Sequence, residues 1–145
     1  LMFCRQPLPP SPFTHNPPQP DEIYARPEAD GHLVMAGHEV YKFAVKAMPQ
    51  AVEEACKKAG LTPGQLDWVV PHQANIRIIQ TAMKNLGLPM ERAWVSIGHT
   101  GNISSATIPI TLDEMVKAGA LHPGDKVAMV GFGAGLTYGA AVLEW

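Results

Sequence analysis

The chain has 145 residues, 46% of them hydrophobic and 17% charged, with a formal net charge of -2. Its size suits one soluble domain, and its eleven basic residues, offset by thirteen acids and spread along the chain, leave no electrostatic footprint for nucleic acid. No apolar run reaches the roughly 18 to 20 residues that cross a bilayer. Two cysteines with no CxxC pair and no secretory signal predict a reducing compartment, with the cytoplasm as the expected location.

The chain opens on Leu1, which suggests an excerpt or a damaged start, and Leu1-Met2-Phe3 is too short for a signal peptide's apolar region. Half of the 14 prolines fall in the first twenty residues, concentrated between Pro7 and Pro20. So many missing amide donors argue against helix or sheet pairing there. Residues 1–30 are therefore expected to form an extended Pro-rich arm or an incomplete leading segment. The PxxP spacing also admits a ligand for a partner domain, although a plain linker fits the same composition. The domain proper is read as residues 31–145, with no strong core strand before residue 33.

Between about Gly37 and Ala59, the residues Val40, Ala44, Ala47, Ala51, Val52 and Ala55 recur at three- and four-residue steps, which predicts a helix. Pro49 should kink or divide it. Gly60 ends the helix, Thr62-Pro63-Gly64 turns the chain, and Leu66 to Val70 reads as a short buried strand. A second helix is expected from about Gln73 to Leu86, stopping at Gly87, with Ile76, Ile79 and Met83 on its inner face. Trp94-Val95-Ser96 reads as a brief strand, followed by a third helix from about Ile103 to Ala118 that contains Pro109 and closes at Gly119. Lys126 to Phe132 forms a strand, Gly133-Ala134-Gly135 a turn, and Leu136 to Glu144 a last strand. This order predicts a layered α/β domain. Helical crossovers make the first three strands parallel, and the short turn makes the last one antiparallel.

In parallel α/β sheets, the loops leaving the C-terminal ends of strands share one rim, where ligands bind. His72, the Gly101-Asn102 pair and Gly133-Ala134-Gly135 each follow a predicted strand and so converge on one edge. An imidazole and a carboxamide placed there could both donate to one substrate oxygen. By itself His72 could be structural, Asn102 could cap a helix, and Asn75 suits the turn into the second helix. Gly131 to Gly135 is not a dinucleotide fingerprint, because an apolar strand follows it where that fingerprint requires a helix. His15, His32, His38, His99 and His122 show no metal-ligand spacing. Neither cysteine suits a nucleophile. Cys4 lies beside prolines, and Cys56 sits near the end of a helix whose dipole disfavours a thiolate, although Lys57 and Lys58 push the other way.

Three stretches carry a resemblance: Val-Pro-His-Gln-Ala-Asn-Ile-Arg-Ile at 70–78, Gly-His-Thr-Gly-Asn-Ile-Ser-Ser-Ala at 98–106 and Gly-Phe-Gly-Ala-Gly-Leu-Thr-Tyr-Gly at 131–139. In this order they resemble the C-terminal half of a β-ketoacyl-acyl-carrier-protein synthase of class III, over roughly residues 31 to 145. The resemblance implies the thiolase fold, in which two similar α/β halves pack into a layered subunit that dimerises. This chain would be the second half, with a mixed sheet that is mostly parallel and has an antiparallel last strand.

The resemblance further implies a decarboxylative Claisen condensation, in which a cysteine is acylated from acyl-CoA and malonyl-acyl-carrier protein then loses CO₂ to give the attacking carbanion. Negative charge builds on the thioester oxygen, where one preorganised donor is typically worth about 3 kcal/mol. His72, through a ring N–H, and Asn102, through its NH₂, match the family's donors, with Gly101 letting the backbone come close. Phe132 matches an aromatic gate near the nucleophile. Ala134 stands at the middle glycine of the oxyanion hole for the acyl-cysteine, a role that requires a negative φ. Arg77, extended by Lys84, matches the basic face that receives the acidic carrier protein.

By the same resemblance, the nucleophilic cysteine belongs to an N-terminal half. No metal or cofactor is expected beyond the coenzyme A and carrier-protein thioesters. The alternatives are a non-catalytic fragment or carrier-protein-binding module of this fold, and a related thiolase-fold acyltransferase or polyketide synthase. A second half standing alone would expose a large apolar face and is expected to need a partner.

Overall fold

A computed structural model of the chain describes residues 13–15, 23–25 and 33–145. Cys4, His32 and most of the predicted arm lie outside the described residues. The strands are β1 (Phe13–His15), β2 (Ile23–Ala25), β3 (Leu33–Met35), β4 (Trp68–Pro71), β5 (Lys126–Gly133) and β6 (Thr137–Glu144). The α-helices are α1 (Gly37–Lys58), α2 (Ile76–Asn85), a single turn α3 (Ile97–Thr100) and α4 (Thr107–Lys117). The main sheet runs β1-β6-β5-β4, and β2 and β3 pair separately.

β4 and β5 are parallel, in the register Val69↔Ala128, while β5 and β6 form a long antiparallel ladder. The layered α/β plan and the antiparallel last strand match the reading of the sequence. Among the described residues the sheet nevertheless holds one parallel pair. Trp94-Val95-Ser96 forms no strand, and this segment meets the sheet through one parallel bridge, Val69↔Ala93, and the Trp94 amide donating to the Val69 carbonyl at 3.3 Å.

Phe13 to His15 also departs from the expectation that the proline stretch cannot pair, since it lies antiparallel against β6 with Phe13↔Ala140. The reason is local. Prolines flank Phe13, Thr14 and His15 but do not interrupt them, so their amides remain.

Side chains of β5 alternate as a strand between two layers requires. Ala128 and Val130 join Ala44, Ala47, Ala51 and Ala55 of α1 and Ile79 and Met83 of α2 on one face. Val127 and Met129 face the other way, with Met115 and Leu112 of α4. The small α1 side chains keep that helix close to the sheet.

Pro49 does not divide α1, which continues unbroken through it to Lys58. A proline at this position removes the amide that would have bonded the carbonyl of Val45. Asn85, at the end of α2, donates its side-chain NH₂ to that carbonyl at 3.0 Å, so the helix gains from a neighbour what it lacks within itself.

Candidate active site

β4 ends at Pro71, and the next amide, that of His72, still donates to the Val130 carbonyl of β5 at 2.7 Å. That bond fixes the backbone of His72 at the C-terminal end of a parallel strand, where the sequence predicted it. The imidazole is half-buried. Its Nδ1 lies 2.6 Å from Thr107 Oγ1, and its ring meets Phe132 edge to face, with centroids 5.5 Å apart. Burial holds its pKa below the ordinary histidine value, which favours the neutral ring.

Asn102 is positioned by the turn after α3. Gly101 ends that turn with φ 68 and ψ -169, a conformation essentially restricted to glycine. Nothing lies within 4 Å of where a Cβ on Gly101 would stand. Within the protein itself, the backbone angle is what calls for glycine here. The Oδ1 of Asn102 accepts the Ser104 amide at 3.1 Å. Asn102 is therefore not the cap of α4, whose N-cap position falls on Ala106; its oxygen closes the local turn, and the NH₂ is left to donate.

Helix α4 begins at Thr107, not near Ile103, because a 3-10 turn at Ser104–Ala106 intervenes. This shift exposes what the sequence reading missed. The buried polar residues among those described are Gln73, Ser96, Thr107 and Thr111, and together they form one hydrogen-bonded circuit.

Gln73 uses its whole carboxamide. Nε2 donates to the Pro71 and Trp94 carbonyls, and Oε1 accepts the Ser96 and Ile97 amides at 3.0 and 3.1 Å. Thr111 donates to the Thr107 carbonyl at 2.7 Å and therefore accepts from Ser96 Oγ, also at 2.7 Å. Thr107 returns the circuit to His72. Two signals could have revealed it: a glutamine where an apolar strand turns into a helix, and threonines at i and i+4 in line with the buried Met115 of α4.

His72, Asn102, Phe132 and Ala134 line one open cavity of about 1110 Å³, with Tyr41 and Tyr138 among its walls. The positive φ values of the terminal turn fall on Gly135 and Leu136 and not on Ala134, so the backbone condition set for Ala134 is met. Arg77 and Lys84 do not line the cavity. They lie two turns apart on the exposed side of α2, whose first turn is capped by Asn75 Oδ1 accepting the Arg77 amide at 2.8 Å.

Cys56 is fully buried, and burial, with Glu53 adding to it, pushes its thiol up to about 11. It lies about 24 Å along α1 from Val40, a residue of the cavity wall. Among the described residues, no three His, Cys, Asp or Glu side chains gather as metal ligands. No described helix is long and apolar enough to cross a membrane.

The sequence model of the family described as "3-Oxoacyl-[acyl-carrier-protein (ACP)] synthase III C terminal" matches residues 56–145. The chain belongs to this family. A β-ketoacyl-[acyl-carrier-protein] synthase III of Clostridium acetobutylicum is 49% identical over 117 residues, which is 81% of this chain and 36% of that protein. The chain thus spans little more than a third of the length of that relative.

Among solved structures, the synthase III of Thermus thermophilus superimposes with a TM-score of 0.86 at 47% identity, covering 93% of this chain and 45% of that one. That of Aquifex aeolicus VF5 gives 0.87 at 37% identity, covering 92% and 43%. The fold of this synthase III segment is therefore that of the thiolase-type condensing enzymes, and its sequence corresponds to their C-terminal part.

Proposed function

We propose that this chain is the C-terminal catalytic segment of a condensing enzyme that joins an acyl group from acyl-CoA to malonyl-acyl-carrier protein with loss of CO₂. The observation that carries the reading is the pairing of His72 and Asn102 on one cavity, each with a second polar atom held by the protein. Donors fixed before the reaction stabilise developing charge without reorganising.

In this reading the acyl group sits on a cysteine of an N-terminal half. The malonyl thioester oxygen lies between His72 Nε2 and the Asn102 NH₂. The bond from the α-carbon to the carboxylate breaks and CO₂ departs, leaving the electron pair delocalised onto that oxygen. The α-carbon then attacks the acyl carbonyl, whose oxyanion is met by the Ala134 amide, and the cysteine leaves as thiolate. Phe132 stands against His72 as the gate. Arg77 and Lys84 steer the acidic carrier protein, an effect that weakens with salt. The chemistry needs no group beyond the two thioesters.

Cys56 is unsuited to be the nucleophile, since its raised pKa and burial keep it protonated and out of reach. The isolated chain is accordingly expected to make no carbon–carbon bond. Ile76 and Ile103, each more than a third exposed, adjoin the cavity residues Asn75 and Asn102 in sequence. They suit a surface covered by the other half in a cytoplasmic homodimer.

The test uses the complete protein. His72→Ala and Asn102→Ala should each lower decarboxylation of malonyl-carrier protein by about 10² to 10³, while acyl transfer from acyl-CoA to the cysteine persists. Wild-type decarboxylation in both variants would refute the reading.

A further inference from the structure

The hydroxyl of Thr107 has one proton and two acceptors within reach, His72 Nδ1 at 2.6 Å and the Ser104 carbonyl at 3.0 Å. Where that proton goes decides what His72 can do. If it goes to Ser104, Nδ1 must carry the imidazole's hydrogen, and Nε2 offers the cavity a lone pair. If it goes to Nδ1, Nε2 carries the hydrogen and becomes a donor.

We propose that Thr107 is the positioning residue that presents His72 to the cavity as an Nε2–H donor, by donating its hydroxyl proton to Nδ1. This rests on the condensing-enzyme reading in one respect, since a thioester oxygen gaining charge requires a donor at Nε2. The geometry supports it in three ways. The contact to Nδ1 is the shorter of the two. Ser104 is exposed, so its carbonyl can take water in exchange for the hydroxyl, whereas Thr107 is buried and its oxygen is the hydrogen-bond partner Nδ1 has. The rest of the circuit also holds Thr107 still, because its own carbonyl receives Thr111 at 2.7 Å. Partial burial favours the neutral ring, and in a neutral imidazole Nε2 donates when Nδ1 is the acceptor.

The experiment is nitrogen NMR of the complete protein labelled with ¹⁵N in its histidines, with His72 assigned by its absence in His72→Gln. The wild type is expected to show an unprotonated, hydrogen-bonded Nδ1 and a protonated Nε2. Thr107→Ser should keep this pattern, and Thr107→Val should move the Nδ1 resonance downfield as it loses its donor. A protonated Nδ1 in the wild type, or an Nδ1 resonance unmoved in Thr107→Val, overturns the proposal.

In the complete protein, Thr107→Val should lower malonyl decarboxylation about tenfold with KM unchanged, and Thr107→Ser should restore it. If the resonances behave as expected but the wild type decarboxylates no malonyl thioester, the role of Thr107 in setting the tautomer stands and the condensing-enzyme reading fails.

Discussion

Asn85 supplies to Val45 the hydrogen bond that Pro49 withholds, at 3.0 Å between two helices. One side chain thus repairs the interior of α1 and fastens α2 to it, beside a second link in which the hydroxyls of Tyr41 and Thr81 lie 3.1 Å apart.

Asn85→Ala should cost about 1 kcal/mol in denaturant unfolding. In a Pro49→Ala background the helix regains its own donor, and the same substitution should cost little. A double-mutant cycle measures this coupling directly, and equal costs in both backgrounds would disprove the repair.

The two roles of Asn102 can be separated by substitution. Asn102→Asp keeps an oxygen for the Ser104 amide but has no NH₂, so the complete protein should retain its thermal stability and lose about 10² to 10³ in decarboxylation. Asn102→Ala loses both atoms, the turn-closing bond to the Ser104 amide included, and should also unfold more readily, by about 1 kcal/mol. Comparable melting temperatures for the two variants would count against the role of its oxygen in closing the turn.

Gln73→Leu removes the partners of two amides and two carbonyls at once. Each buried group left unpaired costs about 1 to 3 kcal/mol, so unfolding of the circuit is expected at much milder denaturant concentrations than in the wild type. A change under about 1 kcal/mol would mean that water replaces the carboxamide.

Stability should also carry a histidine signature. The folded-state pKa of His72 is held below its ordinary value of 6.5 by burial, so the folded protein binds this proton less readily than the unfolded chain does. No difference arises above that ordinary value. Stability falls as the pH drops from there through the folded-state value. His72→Gln should flatten this part of the profile, as measured by melting temperature between pH 7.5 and 5.5.

Much of the site was legible because its residues lie where strand patterns end. His72 follows the apolar run of β4, and the loop of Asn102 was flagged by adjacent glycine and asparagine. The helix of Val40 to Ala55 declared itself through spacing alone. What could not be read depended on partners distant in sequence. Nothing near Pro49 announces Asn85, and nothing in Phe13 to His15 indicates that β6 offers it an edge. Trp94 to Ser96 has a strand's composition, but its polar atoms are spent elsewhere, with the Ser96 amide going to Gln73. Thr107 and Thr111 carry no mark of their own in the sequence, because a threonine's burial is invisible until its partners are known.

The polar circuit closes shorter stretches of chain than the sheet edge does. Its side-chain links bridge separations of 35, 23, 15 and 4 residues, whereas β1 must find β6 across more than a hundred residues of chain, with Phe13 opposite Ala140. Contacts of shorter range close with less loss of chain entropy and form sooner. The floor beneath His72 can therefore assemble before the outer sheet edge is in place, and its amides should be among the earliest to resist hydrogen exchange during refolding.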